Sequence, residues 1–138
     1  MLRPLTALAL ALTVFALAFS GVAQARPPLR DNTPINDQLF IAAVGDQIRK
    51  NCPSLEARMG LVYRRGLALY NYALGQGYTR KEISDYLESK PDNRAMEARA
   101  NAYLEERGVR QGDAESYCEA GRAEIAANSP IGELLRSR

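Results

Sequence analysis

The sequence contains no histidine. That single absence removes the Ser-His-Asp triad, the Cys-His pair and every histidine-ligated metal site. The side chains left for acid–base work are carboxylates, and a glycosidase needs two of them flanking the bond it cuts. Glu105, Glu106, Glu115, Glu119 and Glu124 are the candidates. At 100° per residue, Glu105 falls opposite the apolar arc of its helix. The others fall at or near arc edges, where surface glutamates are common. Gly75-Gln76-Gly77 follows no strand and reads as a helix stop rather than a phosphate cradle. No catalytic residue, metal ligand or cofactor is expected.

Binding chemistry has a better candidate. Arg58, Arg65 and Tyr72 recur at seven-residue spacing, with Leu61 and Arg64 beside them. Arginines around an exposed aromatic suit an anion, a lipid head group or a protein surface. The competing reading is a solvated face with one tyrosine lying along a neighbour. A second candidate is the run Gly121 to Ile125 followed by Ile131 to Arg136, which reads equally as a docked C-terminal segment. Seven tyrosines and no tryptophan favour a wet, tyrosine-lined core edge over a membrane-inserting belt.

Where the chain goes is easier to read. Met1 to Ala25 has the form of a secretory signal peptide: Arg3 is the positive start, Leu5 to Phe19 is an apolar run, and Ala23-Gln24-Ala25 is a small-x-small cleavage site. The run is short for a bilayer span of roughly 20 residues, so a cleaved leader is preferred over a retained anchor. A periplasmic or secreted protein is therefore expected, with no stable membrane insertion after cleavage. The chain has 138 residues and a formal net charge of +2. Without the leader it keeps 17 basic and 16 acidic side chains, which argues against a nucleic-acid binder and against a charged disordered tail.

Cys52 and Cys118 are the two thiols. An even count in an exported chain favours one disulfide; two buried free thiols are the alternative. A redox-active pair would normally show Cys-x-x-Cys spacing. The bridge would close a loop worth about 4 kcal/mol in the chain-entropy picture.

The elements that must position these residues are helices. Residues 26–35 read as an extended arm, because Arg26-Pro27-Pro28 opposes helix. Asn36 or Asp37 then caps a helix to about Asn51, ended by Pro53, with Ile41, Val44, Ile48 and Cys52 on one face. Ser54 caps a second helix to about Leu74. On it, Leu55, Met59, Val62, Gly66, Leu69 and Ala73 form one stripe, and Tyr63, Leu67, Tyr70 and Leu74 form the next. Together they span roughly 160°, wider than a normal amphipathic face. That width predicts a central helix with neighbours on two sides and a close crossing at Gly66. Thr79-Arg80-Lys81-Glu82 is a capping box, with Tyr78 and Ile83 in staple positions; its helix runs to about Ser89 and buries Ile83, Tyr86 and Leu87. Pro91 opens a fourth helix to Arg107 with Met96, Ala100, Tyr103 and Leu104 inward, and Gly108 stops it with Val109 in contact. Asp113 caps a fifth, with Ala114, Tyr117, Cys118, Gly121 and Ile125 on one arc, and Ile131 to Leu135 form a closing turn. Both cysteines thus face inward. The expectation is all-α: one compact bundle of about five helices over residues 36–138, with one disulfide.

The run Tyr117-Cys118-Glu119-Ala120-Gly121-Arg122-Ala123-Glu124-Ile125, followed by Ile131-Gly132-Glu133-Leu134-Leu135-Arg136, resembles short exported proteins of domain of unknown function family 5333. Ile48-Arg49-Lys50-Asn51-Cys52 and Gly77-Tyr78-Thr79 resemble its earlier segments. The resemblance covers nearly all of the chain after the leader. It implies a small secreted bacterial domain with paired cysteines and transfers no functional residue.

The expected function is an exported, non-catalytic protein that binds or stabilises a partner in the cell envelope. The alternatives are a carboxylate-dependent enzyme on a cell-wall polymer, and an anion- or lipid-head-group-binding module using the Arg58, Arg64 and Arg65 face.

Overall fold

A computed structural model describes residues 25–138. The leader expected over Met1 to Ala25 lies outside the described residues, apart from Ala25 itself.

The chain enters in extended form only through Pro28. Leu29–Asp31 then make one 3-10 turn, and helix α1 spans Thr33–Asn51. The helix therefore begins before Asn36 and Asp37, the expected caps. Asn32 is the actual cap, its side chain accepting from the Ile35 amide at 3.2 Å, with Pro34 in the first turn. Asn36 is buried and folds its amide back onto the Leu29 and Asn32 carbonyls, at 2.7 and 2.9 Å. Pro53 ends α1 as expected, holding Cys52 in extended backbone at φ −109°.

The next segment departs from expectation. Leu55–Ala57 is a short strand, β1, and not the first turn of a helix. It pairs antiparallel with β2, Leu135–Ser137, in the register Leu55↔Ser137, Glu56↔Arg136 and Ala57↔Leu135. Arg136 donates to Glu56 across the pair at 2.7 Å. The hydrogen bonds that settle this conformation come from about 80 residues away, so local helix periodicity cannot register them.

Helix α2 then spans Met59–Gly75, α3 Arg80–Glu88, α4 Lys90–Glu105 and α5 Ala114–Ala126, with a 3-10 turn at Gly132–Leu134 leading into β2. The fold is the expected bundle of five helices, with this two-stranded sheet added. The capping box is complete: Thr79 Oγ1 accepts from the Glu82 amide at 3.1 Å, and Glu82 Oε2 accepts from the Thr79 amide at 2.7 Å. Asp113 caps α5 through the Ser116 amide. Gly77 and Gly108 adopt left-handed backbone, φ +88° and +85°, and close α2 and α4 with Tyr78→Ala73 and Val109→Leu104 backbone bonds.

The central helix is α1. It packs against α2, α4, α5, β1 and the C-terminal 3-10 turn, and its Val44 and Ile48 are fully buried. The main core gathers these residues with Leu55, Ala100, Leu104 and Tyr117 around the Cys52–Cys118 disulfide, whose Cα atoms stand 5.0 Å apart. A smaller core joins Leu29, Ile35, Ala73, Tyr78 and Ile83. The expected central place of the second helix is overturned. Of α2, only Ala73 is buried, and nothing approaches within 4 Å of where Gly66 would carry a Cβ. Leu87 and Ala114, both expected inward, are exposed.

Candidate functional site

The five candidate glutamates sit in different settings. Glu105, Glu106, Glu115 and Glu119 are exposed. Glu124 is buried, and its burial has a structural reason. Its Oε1 accepts from the Tyr103 hydroxyl at 2.6 Å, and its Oε2 accepts from the Ser129 hydroxyl. Arg107 stands 3.6 Å from Oε1, with its guanidinium 3.3 Å from the Tyr103 ring centroid. Burial, then the bond to Glu124, pushes the Tyr103 hydroxyl above its ordinary pKa. Ser129 Oγ in turn accepts from the Gly132 amide at 3.0 Å. The network ties α4 to α5 and to the C-terminal turn. Glu119 and Glu124 line one shallow cleft of about 550 Å³, yet both oxygens of Glu124 are already engaged within the protein. A buried acid satisfied in this way holds structure together.

The arginine face divides into two parts. Arg65 is paired with Glu133 and also donates to the Pro130 carbonyl at 3.3 Å. Arg58 donates to the Glu133 carbonyl at 3.3 Å, and its own amide to the Leu134 carbonyl at 2.8 Å. These two residues therefore clamp the C-terminal turn onto α2. The segment from Ile131 to Leu135, the second candidate surface, is docked: Ile131, Leu134 and Leu135 are buried. Arg64 is exposed and makes no ion pair among the described residues. Leu61 is half-buried, and Tyr72 is exposed.

The residues the sequence assigned to the core lie beside this face. Met59, Tyr63 and Leu67, spaced at i, i+4 and i+8, are 64%, 72% and 48% exposed. The described fold covers Val62, Leu69 and Ala73 of the first stripe and Tyr70 and Leu74 of the second, and leaves Met59, Tyr63 and Leu67 in the N-terminal half open. A helix whose apolar arc is wider than a normal amphipathic face is expected to have neighbours on two sides; this one lies at the edge. Periodicity measures how wide an apolar face is and carries no information about what covers it.

Next to the stripe, a cleft of about 260 Å³ separates α1 from α2, lined by Ala42, Gly45, Met59, Val62 and Leu134 among others. The Asp46 carboxyl stands at its rim, where burial opposes ionisation but hydrogen bonds and charges from Lys50 and Arg49 outweigh it and hold the pKa below the usual value.

Together these features define a small helical domain, cross-linked by one disulfide, with an outward apolar and basic helix face and no free catalytic constellation among the described residues. Residues 27–136 match a family described as a family of unknown function, DUF5333, and the chain belongs to that family. No curated protein and no solved structure matches it. The run that carried the resemblance has visible structural duties. A Cβ at Gly121 would overlap Leu55, one at Gly132 would overlap the Glu124 carbonyl, and Glu124 anchors the network just described.

Proposed function

We propose that this protein is an exported, non-catalytic domain that binds or stabilises a protein partner in the cell envelope, and that it does so through the outer face of α2. The observation that carries this reading is the exposed stripe Met59, Tyr63 and Leu67, with Arg64 beside it. Monomeric proteins seldom leave contiguous large apolar side chains in water, and such patches mark interaction surfaces. Export is supported by the leader-like Met1 to Ala25 and by the disulfide, a bond that persists in oxidising compartments. No helix among the described residues is long and apolar enough to cross a membrane.

The test is site-specific photo-cross-linking in the cells that make the protein. p-Benzoylphenylalanine would replace Tyr63 or Leu67, with Arg94 on α4 as the control position. A discrete protein adduct from the α2 positions and none from Arg94 is expected. No adduct from any exposed α2 position would overturn the reading, as would adducts of equal strength from Arg94.

A further inference from the structure

Building on the α2 reading, we infer that the surface receives an amphipathic helix of a partner protein whose apolar ridge is flanked by acidic side chains. Three features fix that chemistry.

The first is charge. Between Glu56 and Glu82 the sequence has no acidic residue, and it has Arg58, Arg64, Arg65, Arg80 and Lys81. Arg65 is satisfied by Glu133 and Lys81 by Asp85. Arg64, exposed next to Leu67 on the helix surface, has no carboxylate partner among the described residues. A partner that covers the stripe must meet this guanidinium, and a carboxylate does so with a charge-assisted bond. A second copy of the chain is a poor fit. Two α2 faces brought together would juxtapose arginines with no carboxylate on either helix.

The second is the pair of open glycines. Gly60 and Gly66 are exposed helical positions with nothing within 4 Å of an added Cβ, and neither has left-handed backbone. Nothing inside the domain requires glycine there, and glycine weakens a helix. A helix packing from outside gains from them, because missing side chains let two backbones approach closely. A lipid surface gains nothing, since its attraction grows with the apolar area inserted.

The third is shape. The stripe meets the cleft between α1 and α2 at Met59, which lines both, with Val62 on the cleft wall. A ridge of side chains fills such a concavity in the helix-in-groove manner, whereas a planar bilayer surface spans it.

The decisive experiment maps the adduct of Tyr63→p-benzoylphenylalanine by mass spectrometry, in the full chain and in cells. The expected attachment point is a helical segment bearing Asp or Glu beside its apolar face. Arg64→Glu and Gly66→Leu should each reduce adduct yield about tenfold or more, the equivalent of roughly 1.4 kcal/mol, while circular dichroism and thermal unfolding of the purified protein remain at or above the parent. A Cβ at Gly66 meets no heavy atom within 4 Å, so unchanged circular dichroism and unfolding in that variant assign the loss to docking. Attachment to a second copy or to a basic or non-helical segment would overturn the inference and leave protein binding standing, as would a yield indifferent to both substitutions; attachment to a lipid would overturn both. No adduct at all would remove both.

Discussion

The Leu55 Cδ1 methyl occupies the space in which a side chain at position 121 would begin, and Ile48 Cγ2 stands 2.7 Å from the same point. Leu55 sits on β1, Ile48 on α1 and Gly121 on α5, so three elements meet where one has no side chain. Gly121→Ala gains about 1 kcal/mol of helix propensity but must force that contact apart, at about 1–3 kcal/mol. The expected net effect is a lower urea midpoint with an unchanged slope. A midpoint equal to or above the parent's would show that the contact yields without cost.

Gly66 supplies the opposite case in the same fold. With nothing within 4 Å, Gly66→Ala should raise stability by about 0.5–1 kcal/mol. For a domain of this size that corresponds to roughly 2–5 °C in Tm. Differential scanning calorimetry decides it; a fall in Tm would mean that Gly66 has an internal packing duty.

The disulfide joins residues 66 apart. Cys52→Ala combined with Cys118→Ala should cost about 2–4 kcal/mol, read as a shift in the urea midpoint. Peptide mapping without reductant should recover the Cys52 and Cys118 peptides joined. Free thiols at both positions in protein isolated from its cells would refute the bridge there.

Glu82 governs the acid response of the N-terminal arm. Its bonds with the Thr79 amide and hydroxyl, followed by Arg26, hold its carboxyl below the ordinary glutamate value. A carboxyl lowered on folding stabilises the protein fully above its unfolded pKa and loses that contribution as pH falls through the folded one. Arg26, bonded to both Glu82 oxygens at 2.7 Å, should come loose over the same interval. The protection of the Thr79 amide, taken relative to its intrinsic exchange rate at each pH, should fall on acidification below the ordinary glutamate range, and Glu82→Gln should flatten that response. An equal fall in the variant would assign it to another group.

The elements most legible in the sequence are those specified by their own neighbours. Thr79 and Glu82 announce a helix start within four residues, and Gly108 with Val109 announces an end, because both partners of each bond are close in the chain. Helix phase alone places Cys52 and Cys118 inward. Illegible were the features whose partners are distant. β1 depends on Arg136 and Ser137, the burial of Glu124 on Tyr103 and Ser129, and the Arg65 position on Glu133. Of the five residues assigned to the binding face, Arg58 and Arg65 serve mainly to clamp the C-terminal turn, whereas Arg64 and Tyr72 remain outward. Periodicity puts Met59, Tyr63 and Leu67 on the apolar arc but says nothing of what covers them, and no other described part of the chain does so.

The pairing of β1 with β2 also joins the two ends of the domain. Glu56 and Arg136 are separated by 80 residues, so a chain delivered N-terminus first holds β1 without a partner while α2 to α5 emerge. At ~5–20 residues per second that interval lasts about 4–16 s. Cys118 arrives before β2, so oxidation can tether α1 to α5 while Leu55 still lacks its cover from Leu135. The covalent bond is thus placed to act as a clasp on an incomplete molecule, and the last strand as the latch that finishes it.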